Sequence, residues 1–220
     1  MRSEQAVDIA KFLQYIVSGT AYTIAVTLIA LPAGLVIGVI LSLLNVYGGK
    51  TAQRLTSVYS TLMRGIPPIV LLFILYFIVS GSINLSPFWA GSVSLGIVTS
   101  AYQMEIIRGA ILSVSGGQMM AARAIGMSKI QAIRYIVLPQ TLRLAIPPWS
   151  NEVAIVIKDS SLVYALGVPE ILRRAQLISA STQQPFLAYA AAGAIYFILV
   201  FIANRLLDLL DRRIRIPANP

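Results

Sequence analysis

Three stretches of this chain carry no charged residue: 12–49, 65–104 and 175–204, which are 38, 40 and 30 residues long. A helix needs about 20 apolar residues to cross the ~30 Å hydrocarbon core of a bilayer. In that core every backbone N–H and C=O must be satisfied inside the protein, which leaves helices and closed barrels as the spanning structures. Long apolar runs without strict alternation are helical rather than barrel-like. Only 11% of the 220 residues are charged, against about 25% in a soluble domain. The chain therefore reads as an all-α integral membrane protein, with residues 1–220 forming a single transmembrane domain.

Polar punctuation divides the runs into five spans. The first falls within about 19–46, ended by Gly48, Gly49 and Lys50, with a short interfacial helix before it near 5–18. Gly34 and Gly38 inside it have the spacing that permits close helix approach. The second covers about 56–80 with a break at Arg64-Gly-Ile-Pro-Pro68, and a polar turn over 81–87 separates it from the third, about 88–111. The fourth covers about 144–167 and the fifth about 186–208. An odd number of spans puts the termini on opposite faces. With 48–55, 106–143 and the C-terminal tail inside, eleven basic residues face the cytoplasm and four face out. The positive-inside rule then places the N-terminus outside and the C-terminus in the cytoplasm. The apolar run near the N-terminus exceeds a 7–15-residue signal core, so it reads as a retained span.

The inventory also excludes chemistries. The chain has no cysteine and no histidine, so disulfides, thiolate nucleophiles, His–metal clusters and Ser-His-Asp triads are all ruled out. The formal charge is +9, which in a membrane protein reflects the cytoplasmic bias of basic residues. Gly49-Lys50-Thr51 ends like a phosphate-binding loop, but that motif requires glycine where Leu44 stands. The chain has no nucleotide or metal site of its own and is not an enzyme.

The connection over about 113–142 is long for a link between spans and carries helix signals throughout. Residues 118–125 are strong helix formers, Gly126 suits a left-handed helix terminus, and Ser128 suits an N-cap. A second short helix is expected from there to Leu138, where Pro139 discourages continuation. Ile130, Ile133, Ile136 and Val137 would share its one face. Two short helices with small side chains at the joint make a compact knob on the cytoplasmic side.

At this point the chain resembles a family. Ala121-Ala122, Gly126, Ile136 and Leu138-Pro139 match the spacing of the EAA loop of ATP-binding-cassette (ABC) importer permeases. Arg64-Gly-Ile-Pro67, Ala101-Tyr-Gln-Met-Glu-Ile-Ile-Arg-Gly-Ala110, Leu138-Pro-Gln140, Pro147-Pro148 and Lys158-Asp-Ser-Ser-Leu162 look like the polar amino-acid uptake permeases. The resemblance runs from about 15 to 212. It departs at Met120, where the family usually has glutamate, at Ile66 for threonine and at Ser115 for proline. The resemblance implies a type I importer permease bundle of five transmembrane helices in a prokaryotic cytoplasmic membrane. It implies a second permease copy or paralogue, an external amino-acid-binding protein, and a separate cytoplasmic ATPase that binds ATP and Mg. It places ATPase coupling on the 113–142 loop, at Met120, Ala121, Ala122, Arg123, Ala124, Gly126, Met127 and Ser128. The competing reading is a secondary amino-acid transporter driven by an ion gradient, which would need no docking loop.

Charge inside a span costs at least about 2.5–3.5 kcal/mol near the bilayer centre and usually faces the bundle interior. Glu152 lies nine residues past Arg143, or about 13 Å of helix, near mid-membrane. Glu152 could hold a substrate amino or guanidino group and Lys158 a carboxylate, with Asn151, Asp159, Ser160 and Arg64 as further contacts. The alternative is a Glu152–Arg64 or Lys158–Asp159 pair that only fixes helix register. Glu105 and Arg108, three residues apart, form a structural pair at the membrane edge. Ile66-Pro67-Pro68 and Ile146-Pro147-Pro148 both interrupt apolar segments, a pattern that can mark discontinuous helices at a substrate site.

Overall fold

The computed structural model describes residues 9–82 and 84–214. Ten α-helices follow one another: α1 (Ile9–Val17), α2 (Thr20–Tyr47), α3 (Lys50–Gly65), α4 (Pro68–Ser82), α5 (Pro87–Ser113), α6 (Gly116–Ala124), α7 (Lys129–Ala132), α8 (Leu138–Asp159), α9 (Ile171–Thr182) and α10 (Pro185–Ile214). A π-helical stretch, Ile133–Val137, joins α7 to α8, and a 3₁₀ stretch, Ser160–Leu166, extends α8. The expected first, third and fifth spans are α2, α5 and α10, and the fourth is α8 with its 3₁₀ extension. The expected interfacial helix is α1, whose Phe12 and Ile16 are buried against Ile171 and Ala175 of α9 and Ala188 and Ala192 of α10. Residues 5–8 of that expectation, and Arg215 in the tail, lie outside the described residues.

Two stretches, Ala10–Tyr47 and Pro185–Arg213, are long and apolar enough to cross a membrane. The expected second span is a bent pair: α3 and α4 meet at 114°. The bend sits at Pro67-Pro68, where neither residue offers an N–H and the residue before a proline is pushed out of the helical region. Ile66 accordingly has φ −104° and ψ 138°. α5 and α8 are 27 and 22 residues long, sufficient in length, but they carry more polar residues than a lipid-facing helix. In α5 that polarity is turned inward: Ser92, Ser94, Thr99, Ser100 and Gln103 are all buried.

α5 is the centre of the bundle, and α2 lies directly on it. A Cβ on Gly34 would stand 2.6 Å from Thr99 Cγ2, and one on Gly38 would stand 2.9 Å from the Met104 amide nitrogen. A side chain is excluded at Gly38 by the α5 backbone and at Gly34 by the buried Thr99 and Gln103 side chains. The Gly34–Gly38 spacing is thus a packing face. On the other flank, α3 is pinned to α5 by polar contacts. The Tyr59 hydroxyl donates to the Ile97 carbonyl (3.0 Å), and Ser60 donates to Glu105 Oε1 (2.8 Å). Glu105 also forms the expected pair with Arg108, at 2.7 Å. The main apolar core gathers Val26, Ala30 and Leu31 of α2, Leu72 of α4, Leu95 of α5 and Val153, Val156 and Ile157 of α8.

The 113–142 segment is a helical knob, and its caps are the ones its residues call for. Gly126 takes φ +91°. Its amide donates to the Arg123 carbonyl and that of Met127 to the Ala122 carbonyl, both at 3.1 Å. This crossed pair is a Schellman termination of α6. Ser128 caps α7 in a reciprocal capping box with Gln131. One expectation needs correction: the second helix does not stop at Leu138. It widens into the π stretch and continues as α8, with the Leu138 amide donating to the Ile133 carbonyl. Pro139 falls in the first turn of α8, where a missing N–H costs little. The widened turn reassigns the ladder just before the proline, and so the chain passes through. The expected face is also incomplete: Val137 is buried, whereas Ile130 is 76% exposed.

Candidate functional site

α8 carries Glu152 into the bundle. Its side chain is 4% exposed, and Thr99 Oγ1 of α5 donates to its Oε1 at 2.5 Å. Thr99 belongs to a wider polar cluster built from three helices. Gln103, one turn along α5 and fully buried, donates through Nε2 to the Leu31 carbonyl of α2 (3.2 Å) and to Thr99 Oγ1 (3.4 Å). Trp149 of α8 donates through Nε1 to Gln103 Oε1 at 2.8 Å. Burial without partners would cost each of these groups about 1–3 kcal/mol, and the network meets that demand internally.

A second group of charges flanks this cluster. Tyr102, next to Gln103 on α5, lies within electrostatic reach of Glu152, Asp159 and Arg64, and Asp159 is in turn within reach of Glu152. Asp159 is half-buried and lies within reach of Lys158. Of the expected site residues, Glu152, Asp159 and Arg64 thus lie within electrostatic reach of Tyr102. Asn151 and Lys158 are exposed, and the Ser160 hydroxyl is buried and donates to the Ile157 carbonyl at 2.7 Å. Lys158 and Glu152, six residues apart, fall on different sides of α8, Lys158 exposed and Glu152 buried. Arg64 is exposed at the end of α3 beside the 114° bend. Of the two proline interruptions, Pro67-Pro68 makes that bend, while Pro147-Pro148 lies inside α8 one turn before Glu152.

Four residues of this site escape a reading of the sequence alone: Thr99, Tyr102, Gln103 and Trp149. Gln103 left a signal, being a primary amide inside a 40-residue uncharged run, two residues before Glu105. Its partners lie 46 and 72 positions away, and no local spacing points to them.

The residues expected to couple to an ATPase lie on the knob, ahead of the N-terminal end of α8. Met120 is 70% exposed, and Ala121, Arg123, Ala124 and Gly126 are exposed on the same knob. Ala122 is buried under it and Met127 half-buried, and Arg123 closes the turn by donating to the Met127 carbonyl at 2.8 Å. The knob is attached to the bundle through Lys129, which donates to the Tyr47 carbonyl at 3.1 Å and stands 5.7 Å from the centre of the Tyr47 ring. An exposed helical knob thus stands at one end of a helix that carries a buried polar cluster further along.

Comparison with known proteins gives that description a class. The family described as "Binding-protein-dependent transport system inner membrane component" matches residues 30–216. The octopine transport system permease protein OccQ of Rhizobium radiobacter is 34% identical over 207 residues, covering 88% of this chain and 87% of the relative. The glutamine transport system permease protein GlnP of Escherichia coli (strain K12) is 34% identical over 204 residues, covering 91% and 93%. Among solved structures, a chain of an amino acid ABC transporter superposes with TM-score 0.83 at 32% identity, covering 94% of this chain and 97% of its own. A chain of the inward-facing MetNI methionine ABC transporter shares the fold alone, with TM-score 0.80 at 21% identity and coverage of 92% and 97%. The class is the permease subunit of an ABC importer. This chain belongs to the family of binding-protein-dependent transport system inner membrane components.

Proposed function

We propose that this permease carries a polar amino acid, with a cationic group seated at Glu152. The observation that carries the reading is a carboxylate 4% exposed in a helix of a membrane bundle, where an ionisable residue marks a substrate path by default. The relatives named for octopine and glutamine transport support an amino-acid cargo. Asp159, Arg64 and Tyr102 line the approach to Glu152, and Asn151, Lys158 and Ser160 take outer positions. No observation favours the ion-gradient alternative.

In this reading the whole chain is one transmembrane domain in a prokaryotic cytoplasmic membrane. α2, the α3–α4 pair, α5, α8 and α10 make its five crossings, with the N-terminus outside and the C-terminus inside. Residues 113–142 dock on a separate ATPase that binds ATP and Mg; this chain supplies neither. Met120, Ala121, Ala122, Arg123, Ala124, Gly126, Met127 and Ser128 form the docking knob. A second permease chain completes the path, and an external binding protein delivers the amino acid. Where glutamate is usual, Met120 presents an apolar side chain, so docking rests on shape more than on an ion pair.

The test is transport by Glu152→Gln in the assembled importer. Uptake of labelled arginine and glutamine should fall about tenfold or more, the scale of one hydrogen bond to a charged group, while the ATPase co-purifies unchanged. Undiminished uptake would remove Glu152 from the path.

A further inference from the structure

We infer that Gln103 is a positioning residue for Glu152, acting through Thr99, and that Trp149 fixes its orientation. The inference rests on the reading of Glu152 as the substrate contact. It is a specificity device that spans three helices.

The donor and acceptor inventory dictates the geometry. An indole N–H can only donate, so the atom of Gln103 facing Trp149 must be its oxygen, as found at 2.8 Å. The amide NH₂ must then face the other way. There it meets the Leu31 carbonyl at 3.2 Å, which can only accept, so both ends of the amide agree on one orientation. The remaining amide hydrogen points to Thr99 Oγ1 at 3.4 Å. A hydroxyl that accepts there is free to direct its own proton elsewhere, and that proton goes to Glu152 Oε1 at 2.5 Å. Every donor in the chain from Trp149 to Thr99 is therefore used in one direction, and the direction ends on the carboxylate. Glu152 is left as the acceptor at Oε1. Trp149 and Glu152 both lie on α8, three residues apart, so the chain leaves α8 at one point and returns to it one turn later.

The surroundings hold this chain in place. Gln103 is fully buried, and a Cβ on Gly34 would stand 2.6 Å from its Nε2, so α2 lies directly against the amide. The acceptor on α2 is the carbonyl of the Leu31–Pro32 bond. A shift of α2 against α5 would therefore be felt at Glu152 through three hydrogen bonds.

A double-mutant cycle in the complete importer tests the inference, with uptake of labelled arginine and glutamine as the readout. Gln103→Leu should raise KM about three- to tenfold, the effect of losing the neutral hydrogen bond that orients Thr99 toward the carboxylate. The maximal rate and the ATPase stoichiometry should stay within about twofold, because Gln103 acts through Glu152 and not on the knob. Added to Glu152→Gln, it should have no further effect, since residues acting in one chain are not additive. Full additivity of the two changes would overturn the inference. If Gln103→Leu does not assemble, Trp149→Phe, which keeps the ring volume and removes the donor, carries the same cycle. Thr99→Ser should keep the wild-type KM and Thr99→Val should not; equal KM values for the two would also overturn it. Should Glu152→Gln itself leave uptake unchanged, the site reading fails first, and that outcome is distinct from the others.

Discussion

The knob and the polar cluster are both built around α8, and they are specified in opposite ways. In the knob nearly every defining bond spans three to five residues: Gly126 to Arg123, Met127 to Ala122, and Ser128 with Gln131. In the cluster the defining bonds span 46, 53 and 72 positions. The knob is an element that local chemistry can form with little help from the rest of the chain. The cluster exists only when α2, α5 and α8 are already packed. A docking element that must present one shape to a partner gains from local specification. A site inside a membrane path gains from dependence on helix packing, because its geometry then responds when the helices move.

The sharpest way to break this contrast is at Gly34. Gly34→Val forces a side chain into Thr99 and Gln103, and overpacking of this kind costs about 1–3 kcal/mol even where the surroundings can adjust. The expected outcome is loss of the folded permease in detergent by size-exclusion chromatography. Retention of the wild-type profile would show that α2 and α5 can part without cost. Next comes Gly126→Val. A β-branched residue at φ +91° is strained by about 1–2 kcal/mol, so the knob should deform while the bundle stays intact. The measurement is ATPase co-purification, expected to drop several-fold against an unchanged permease yield. Ser128→Ala is milder, removing one cap bond worth about 1 kcal/mol. It should weaken transport-coupled ATP hydrolysis slightly and leave the substrate KM alone; a shift in KM would erase the separation between the two regions.

The smallest effect concerns Glu170, outside the spans at the N-cap of α9. It accepts from the Leu172 and Arg173 amides at 2.8 and 2.6 Å and from the Tyr196 hydroxyl at 2.5 Å. Burial pushes its carboxyl above the ordinary 4.5, and these hydrogen bonds only partly oppose that. The folded state thus holds the proton more tightly than the unfolded state. Its stabilising effect is complete below pH 4.5 and is lost as pH rises through the elevated native value. The thermal midpoint of the wild type relative to Glu170→Gln should drift down across that window. A difference independent of pH would assign Glu170 a purely geometric cap.

What could be read from the sequence follows the same division. The uncharged runs locate α2, α5 and α10, because apolar length is a local property. Gly126 and Ser128 locate the two helices of the knob for the same reason. The passage of the chain through Pro139 was not legible, since a widened turn depends on how the Ile133 carbonyl is shared along the backbone. Glu152 stood out as a charge in an apolar segment, whereas the sequence offered no reason to separate Lys158 from it. That separation comes from the packing of α8, which buries one and exposes the other. Thr99 and Gln103 look like ordinary polar residues until α2 closes over them.

The glycine contacts between α2 and α5 have a mechanical consequence. At Gly38 the α2 backbone lies against the α5 backbone, and at Gly34 it lies against the Thr99 and Gln103 side chains, so the pair has little room to slide. Its joint with α3 is also stitched, by Tyr59 and Ser60. α8 meets that pair through the apolar core, with Val153, Val156 and Ile157, as well as through the Thr99–Glu152 and Trp149–Gln103 bonds. It also runs on from the knob without a loop, through the π turn, so a displacement at the knob would reach the polar cluster along one continuous helix.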